Sequence, residues 1–163
     1  MLHPDSLLRA SEIIRLCQQA NRKVATIESC TGGLISAALT AVSGSSDVVD
    51  RGFTTYSNEA KNELVEVPME LIITHGAVSE EVALAMAEGG LRRSNANITV
   101  SVTGIAGPGG GTETKPVGLV HFACASEGNP TIAYHEVFSG DRATVREATV
   151  LQAFKMIETA VNS

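Results

Sequence analysis

The stretch Val24–Val42, VATIESCTGGLISAALTAV, contains the change of pattern on which the fold depends. Its first five residues, Val24–Glu28, form a short and largely apolar segment, which is typical of a buried strand. From Thr31 to Val42 the residues are apolar and small, which predicts a buried helix. A strand that passes through a glycine-containing turn into a helix is a unit of folds in which helices cover a sheet.

The same alternation continues on both sides of this unit. Apolar residues at helical spacing predict a first helix that opens at Pro4-Asp5, with Asp5 as its N-cap, and ends at about Ala20. Ser79 is predicted to cap a helix that extends to about Arg93. The remaining predicted elements are strands at 48–56, 97–103, 117–126 and 131–138, a short helix at 58–66 stopped near Pro68, and a helix from near Asp141 to about 161.

This order of elements predicts an α/β fold, a three-layer α/β/α sandwich with a mixed, mainly parallel sheet of about five strands. The last two strands are separated by a turn at 127–130 and are expected to pair antiparallel. In such sheets ligands bind beyond the carboxyl ends of the strands, in the loops that lead into helices. Three loops of this kind carry polar or glycine-rich sequence, at 28–33, 54–61 and 103–112.

Composition limits the class of protein. The chain has 163 residues and a mass of 17.0 kDa, which fits a single domain, 1–163. A hydrophobic content of 44% with 18% charged residues excludes a disordered chain. The net charge of −6, with no Trp and only two Tyr, argues against nucleic acid as a partner.

Targeting and redox features point to the cytoplasm. The N-terminal residues include acids and no apolar segment, so no signal peptide is expected. No apolar run approaches the ~18 residues needed to span a membrane, and no membrane partner is expected. The three cysteines, Cys17, Cys30 and Cys124, form neither a CxxC motif nor a zinc-type cluster with histidine. We therefore expect reduced thiols in a cytoplasmic protein.

The first loop, ESCTGG at 28–33, places a hydroxyl between a strand and a helix N-terminus. Gly32 and Gly33 leave room for a substrate, and free N–H groups of the first helical turn could hold an oxyanion or a phosphate. Ser29 is therefore a candidate nucleophile, although the GxSxG motif is absent. The simpler interpretation is that Ser29 or Thr31 only caps the helix.

The second loop, TTYSNEAK at 54–61, carries a candidate base. If Asn58 is the N-cap, Lys61 lies in the first helical turn, where the positive end of the helix dipole favours the neutral amine. A neutral lysine can act as a general base toward a serine, and Tyr56 could relay the proton or orient the lysine. The alternative is a solvated surface lysine beside a half-buried tyrosine.

The third loop, TGIAGPGGGT at 103–112, contains five glycines but matches neither the GxGxxG nor the GxxxxGK[ST] spacing. Glycines such as Gly104 and Gly107 permit positive φ and close approach of a ligand. A flexible lid or a plain linker is an equally good interpretation of this composition. Thr103, at the end of the preceding strand, would point its hydroxyl into the same crevice.

Arg142, in SGDR at 139–142, lies near a predicted helix start and is suited to a phosphate or carboxylate ligand. An ion pair with Asp141 is the alternative. Thr144 and Glu147 fit a capping box, which would start the last helix three residues later.

Other residues offer alternative chemistry. His75 is a second candidate base, whereas His121 lies within an apolar strand and is expected to be structural. Cys30 neighbours Ser29 and could itself be the nucleophile, because a thiolate at a helix N-terminus is stabilised.

Five segments occur in one order: ESCTGG at 28–33, TYSNEAK at 55–61, HGAVS at 75–79, SVTGIAGPGGGT at 101–112 with KPVG at 115–118, and GDR at 140–142. Together they resemble the CinA C-terminal domain family, whose enzymatic members are nicotinamide mononucleotide (NMN) amidohydrolases. The resemblance extends from about residue 5 to residue 160. Any one motif is weak, but five in register are specific.

The resemblance implies hydrolysis of the carboxamide of NMN to nicotinic acid mononucleotide and ammonia, without a metal or other cofactor, in an α/β/α protein expected to be a homo-oligomer. By motif, Ser29 matches the nucleophile, Tyr56 and Lys61 match the pair that activates it, and Thr103 belongs to the catalytic group. The residues expected to contact substrate are Cys30, Thr31, Gly32, Gly33, Gly104, Gly107 and Arg142. Full-length members often carry an N-terminal nucleotide-hydrolysing domain, an activity not expected of this chain.

Three other functions remain open from the sequence. Glycine loops, helix N-termini and arginines can hold a phosphate without catalysis, as in a non-catalytic nucleotide-binding module of the competence/damage-inducible type. An interaction protein of the competence or repair machinery would expose a large apolar patch. An amidase with a different amide substrate is the third alternative.

Overall fold

The computed structural model describes residues 1–163 and contains five strands and six α-helices. The strands are β1 (Val24–Glu28), β2 (Val49–Thr54), β3 (Ile98–Gly104), β4 (Leu119–Ser126) and β5 (Ile132–Val137). The helices are α1 (Pro4–Gln19), α2 (Leu34–Thr40), α3 (Asn58–Val65), α4 (Met69–His75), α5 (Glu80–Arg92) and α6 (Arg142–Val161). A 3₁₀ turn, Ser45–Asp47, precedes β2.

The strands form one sheet in the order β2-β1-β3-β4-β5. β1 pairs parallel with β2 and β3, whereas β4 runs antiparallel to both β3 and β5. Because only β4 is reversed, the other strands share one direction, and the predicted mixed, mainly parallel sheet is confirmed. The carboxyl ends of β1, β2, β3 and β5 therefore lie along one edge of the sheet.

Helices cover both faces of this sheet, which confirms the predicted three-layer α/β/α fold. α1, α2 and α6 pack on one face around a core of 23 buried residues that includes Ile13, Leu39, Phe122 and Phe154. α3, α4 and α5 cover the other face, where small alanine side chains on α5 and β4 let helix and sheet approach closely. No helix is both long enough and apolar enough to cross a lipid bilayer.

Hydroxyl groups on β3 attach the sheet to α5 and to the loop before it. Thr99, Ser101 and Thr103 are alternate residues of β3, so their side chains lie on the same face. They donate hydrogen bonds to the carbonyl oxygens of Ala87, Ala83 and Ala77, at 2.7, 2.6 and 2.8 Å. These bonds satisfy three buried hydroxyls and fix the 77–80 segment beside the end of β3.

Two predicted helix starts are wrong by a residue or more. The N-cap of α1 is His3, whose Nδ1 accepts from the Asp5 N–H, because Pro4 can occupy the first helical position without losing a hydrogen bond. α2 begins at Leu34 rather than Thr31, because Gly32 and Gly33 have φ of 59° and 105°, outside the helical region.

The bounds near the second loop also differ from the prediction. β2 ends at Thr54 rather than Tyr56, and the N-cap of α3 is Ser57 rather than Asn58, with its hydroxyl accepting from the Ala60 N–H at 3.0 Å. The sequence analysis also missed α4. Pro68 lies after the end of α3 and is also the N-cap of α4.

The caps of α5 and α6 agree with the sequence. Ser79 accepts from the Val82 N–H, as predicted. Asp141 accepts from the Thr144 N–H at 2.9 Å, so α6 starts at Arg142 and not three residues later.

We predict that Gly89→Ala destabilises the domain by about 3 kcal/mol, at the upper end of the usual cost of overpacking. A Cβ at Gly89 of α5 would lie 1.7 Å from the carbonyl oxygen of Val65 in α3, and a main-chain carbonyl cannot rotate away. Urea unfolding measures the change. Gly109→Ala is the control, because no atom lies within 4 Å of a Cβ there; equal stability of both variants would contradict close packing of α3 on α5.

Candidate active site

A pocket of about 220 Å³ lies where β1, β2 and β3 end. Seven of the residues predicted for the site line it: Ser29, Cys30, Tyr56, Lys61, Thr103, Gly104 and Arg142. The lining residues that sequence analysis missed are Asn58, Ala77, Val78 and Ala106. Ala77 and Val78 belong to the HGAVS segment of the family pattern.

The central contact of the pocket joins Lys61 to Ser29. The Lys61 Nζ lies 3.0 Å from the Ser29 Oγ, 2.9 Å from the carbonyl oxygen of Thr55 and 3.4 Å from that of Tyr56. Only 1% of Lys61 is exposed, and burial lowers its pKa below the ordinary value of 10.5. A neutral amine has two N–H donors and one lone pair, so it can donate to the carbonyls and accept from the serine hydroxyl.

The end of β2 brings these two side chains together. The Thr55 N–H donates to the Glu28 carbonyl at 2.8 Å, which ties the end of β2 to the end of β1. α3 begins three residues after Thr55. Lys61, near its N-terminus, therefore contacts the carbonyl groups of Thr55 and Tyr56 at the end of β2. The alternative of a solvated surface lysine is therefore wrong.

Arg142 bridges the mouth of the pocket. Its Nη1 donates to the Gly107 carbonyl at 2.8 Å, and its Nη2 lies 3.4 Å from the Tyr56 hydroxyl. Tyr56 is 62% exposed, and it approaches Lys61 through its main-chain carbonyl. Asp141 caps α6, so the alternative of an Arg142–Asp141 ion pair is not observed.

The end of β3 forms another wall of the pocket. The Thr103 hydroxyl donates to Ala77, which leaves its oxygen lone pairs free to accept a hydrogen bond. A Cβ at Gly104 would lie 2.7 Å from a methyl group of Val120, so glycine at this position is required for packing of β3 on β4.

Glu28 determines the shape of the first loop, although the sequence analysis gave it no role. Its carboxylate is 1% exposed and accepts from the Thr31 hydroxyl at 2.6 Å. It also accepts from the N–H groups of Gly33, Ile35 and Ser36, at 3.2, 2.9 and 2.9 Å. The N-terminus of α2 is thus occupied by a carboxylate of the chain itself, and the prediction that its N–H groups are free is wrong.

Two main-chain N–H groups of this loop donate to no other residue: that of Thr31, and that of Cys30, which interacts only with its own thiol. The carbonyl groups of the same two residues accept from Arg146 of α6, at 3.2 Å from Nε and 3.0 Å from Nη2. The Gly32 N–H donates to the Ser29 carbonyl at 3.0 Å. Donors next to Ser29 are therefore available, but they precede α2 rather than belong to it.

Burial raises the pKa of the Cys30 thiol to about 12, and the nearby charge of Glu28 adds to this effect. The thiol stays protonated at neutral pH, so the expectation of a stabilised thiolate is wrong. The reason is burial, because a thiolate held away from water is poorly solvated.

A profile of the CinA C-terminal domain matches residues 8–161, nearly the whole chain. This chain belongs to the CinA C-terminal domain family. The resemblance noted in the sequence is thereby confirmed.

Relatives of this CinA domain have two kinds of architecture. A competence-damage inducible protein of Caldicellulosiruptor bescii is 47% identical over 157 residues, which are 96% of this chain and 38% of that protein. A nicotinamide-nucleotide amidohydrolase PncC of Escherichia coli K12 is 44% identical over 154 residues, which are 90% of this chain and 93% of that protein. The chain thus spans little more than a third of the longer relative and nearly all of the shorter one.

Solved structures agree with the CinA fold described above. The crystal structure of competence/damage inducible protein CihA from Agrobacterium tumefaciens has a TM-score of 0.95 and 46% sequence identity to this chain. The match covers 100% of this chain and 99% of that one.

The alternative histidines lie outside the pocket of the CinA domain. His75 ends α4, and its Nδ1 lies 3.6 Å from Glu81. His121 stands beside His135, with ring centroids 5.2 Å apart, and burial together with His135 lowers its pKa. No three His, Cys, Asp or Glu side chains are grouped so that they could hold a metal ion.

A larger cavity, of about 390 Å³, lies between β5 and the C-terminal half of α6. Its lining includes Cys124, Ile132, Tyr134 and Met156 and contains no charged side chain. It is larger than the pocket around Ser29, but the candidate acid–base chemistry lies in the smaller pocket.

We predict that Glu28→Gln lowers the free energy of unfolding by about 2–3 kcal/mol, the range for buried hydrogen bonds to a charged group. The amide would turn an NH₂ group toward N–H donors of α2, and it lacks the charge that complements them. Chemical denaturation measures the loss, with Glu88→Gln as the control because Glu88 is exposed and makes no hydrogen bond or ion pair. If both variants unfold alike, Glu28 does not hold the loop.

Proposed function

We propose that this domain is an NMN amidohydrolase that converts the carboxamide of NMN to a carboxylate and releases ammonia. The observation that carries the proposal is the 3.0 Å contact between the Ser29 hydroxyl and the buried Lys61 amine. The 44% identity to the Escherichia coli nicotinamide-nucleotide amidohydrolase, over 93% of that protein, supports the choice of substrate. We also propose that the domain acts in the cytoplasm as a homo-oligomer, on a small nucleotide rather than on nucleic acid or membrane.

In the first half of the proposed reaction, Lys61 Nζ takes the Ser29 hydroxyl proton while Oγ attacks the carboxamide carbon. The carbonyl oxygen becomes an oxyanion, which main-chain N–H groups beside Ser29 stabilise by roughly 3–4 kcal/mol per donor. The C–N bond then breaks, the amide nitrogen takes the proton from Lys61, and ammonia leaves. An ester of Ser29 remains.

In the second half, water attacks the ester and gives its proton to Lys61. The bond between carbon and Oγ breaks, and the serine oxygen recovers a proton from Lys61. Nicotinic acid mononucleotide leaves with a carboxylic acid group in place of the amide, and this group releases its proton to water to become the carboxylate. Thr103, whose hydroxyl oxygen can still accept a hydrogen bond, is placed to orient the carboxamide NH₂.

The pocket suits the pyridine carboxamide, and the ribose phosphate would extend to its mouth. Arg142 lies there with two of its donors on the neutral oxygens of Gly107 and Tyr56, which a phosphate would replace as stronger acceptors. The N-terminus of α2 is occupied by Glu28, which favours Arg142 and the glycine loop as the phosphate site.

We predict that Ser29→Ala lowers kcat for NMN by at least about 10³-fold, as expected when the nucleophile of an acyl transfer is removed. Ammonia and nicotinic acid mononucleotide should appear in equal amounts with the unaltered protein. A Ser29→Ala variant that keeps normal turnover would remove the nucleophile assignment.

The same assay separates the competing functions. NMN that raises the melting temperature without releasing ammonia would identify a nucleotide-binding module. Equal activity on free nicotinamide or glutamine would show an amidase that does not need the ribose phosphate.

We predict that Lys61→Met lowers kcat/KM by about 10²–10⁴-fold, the usual contribution of a general base. In the unaltered protein kcat/KM should rise with pH as Lys61 loses its proton and level off below pH 10.5, since burial lowers its pKa. This rise should be absent from Lys61→Met and present in Lys155→Met, which changes an exposed lysine of α6. An unaltered pH–rate profile in Lys61→Met would place the base elsewhere.

Folding provides an independent readout of the same pKa. Between the lowered pKa of folded Lys61 and 10.5, the unfolded chain binds the proton that the folded chain does not. The free energy of unfolding therefore rises with pH in that window, and Lys61→Met should lose this contribution while remaining folded.

A further inference from the structure

Arg146 of α6 contacts the loop that follows Ser29 without lining the pocket. Its side chain donates through Nε to the Cys30 carbonyl and through Nη2 to the Thr31 carbonyl, at 3.2 and 3.0 Å. Arg146 does not line the pocket, in contrast to Arg142 one helical turn earlier. It therefore contacts the loop and not the space that a substrate would occupy.

These contacts determine where two N–H groups point. In a trans peptide the C=O and N–H bonds lie in one plane and point in opposite directions, so fixing the Cys30 carbonyl on Arg146 points the Thr31 N–H away from Arg146. Arg146 orients the Cys30 N–H less directly. Its bond to the Thr31 carbonyl orients the Gly32 N–H, which donates to the Ser29 carbonyl and thereby orients the Cys30 N–H.

Neither N–H group donates to another residue, and the Cys30 N–H meets only its own thiol sulfur, which is a weak acceptor. Both residues are buried, Cys30 with 7% exposure and Thr31 with none. Buried main-chain N–H groups without a partner are rare and costly, and they need an explanation. Cys30 directly follows the proposed nucleophile, which is a position that an oxyanion donor occupies in other acyl-transfer enzymes, and Thr31 is the next residue.

We propose that Arg146 is a positioning residue that aims the Cys30 and Thr31 N–H groups at the oxyanion formed when Ser29 attacks; this rests on the proposed function. The planar fork of arginine reaches two adjacent carbonyls at once, whereas the ammonium of lysine is a single point donor. Donors held in advance stabilise the transition state without reorganisation during the reaction.

The test compares Arg146→Gln and Arg146→Lys with the unaltered protein, using NMN and its thioamide analogue. We expect kcat for NMN to fall roughly 10- to 100-fold in both variants, less than the 10²–10³-fold cost of deleting an oxyanion donor. KM should stay within about threefold, because Arg146 is placed away from substrate, and loss of transition-state contacts alone lowers kcat. The rise of rate with pH should remain, because Lys61 is intact.

The thioamide gives a readout that a merely structural role would not change. Sulfur is larger than oxygen and a weaker hydrogen-bond acceptor, so aligned N–H donors favour the amide over the thioamide. We expect this preference to shrink in both Arg146 variants. The matched control is Arg51→Gln, since Arg51 also donates to a main-chain carbonyl, that of Arg93, but lies away from the pocket. It should leave kcat and the preference unchanged.

Each other outcome overturns the proposal. Normal kcat in Arg146→Gln would show that the loop needs no such support, and recovery of full kcat by Arg146→Lys would show that charge alone matters. A raised KM with normal kcat would make Arg146 a substrate contact. If the unaltered protein releases no ammonia from NMN, the proposed function fails first; normal Arg146 variants of an active protein remove only the positioning role.

Discussion

The Lys61 amine is buried against main-chain carbonyl oxygens rather than against a carboxylate. A buried ammonium is costly without a counter-charge, and Lys61 forms no ion pair, so the neutral form is favoured. A carboxylate beside Lys61 would favour the charged ammonium form, and Lys61 would then have no lone pair with which to accept a proton. Glu28 is adjacent to Ser29 in the chain, but its carboxylate faces the N–H groups of α2, where the helix dipole compensates it.

Two charged side chains thus support the loop around Ser29 without entering the pocket. Glu28 accepts hydrogen bonds from N–H groups at the start of α2, and Arg146 donates hydrogen bonds to the carbonyl groups of Cys30 and Thr31. The loop has few hydrogen bonds of its own, as expected of a segment with two glycines in the positive φ region. Its shape is therefore set by side chains from β1 and α6 more than by its local sequence.

Most of the strand and helix order could be predicted because most elements carry a clear period or cap, as Ser79 does for α5. The exception is α4, a seven-residue helix directly after Pro68. The Ser29–Lys61 pair could be predicted because both residues follow strands whose carboxyl ends share an edge. Glu28 could not, since an acidic residue at the end of a strand usually indicates exposure. Arg146 could not either, because its contact with Cys30 joins positions 116 residues apart, which no local pattern records.

Because β4 is antiparallel to both of its neighbours, β5 runs in the same direction as β1, β2 and β3. α6 follows β5 and therefore starts at the same edge of the sheet as the loops that follow β1 and β2. The last helix consequently supplies both Arg142 and Arg146. During synthesis on a ribosome, the serine and lysine emerge long before α6, and domains fold as units once their chain is available. A nascent chain that still lacks α6 would hold neither arginine, so the loop after Ser29 would gain its contacts with Arg146 only after all five strands have emerged.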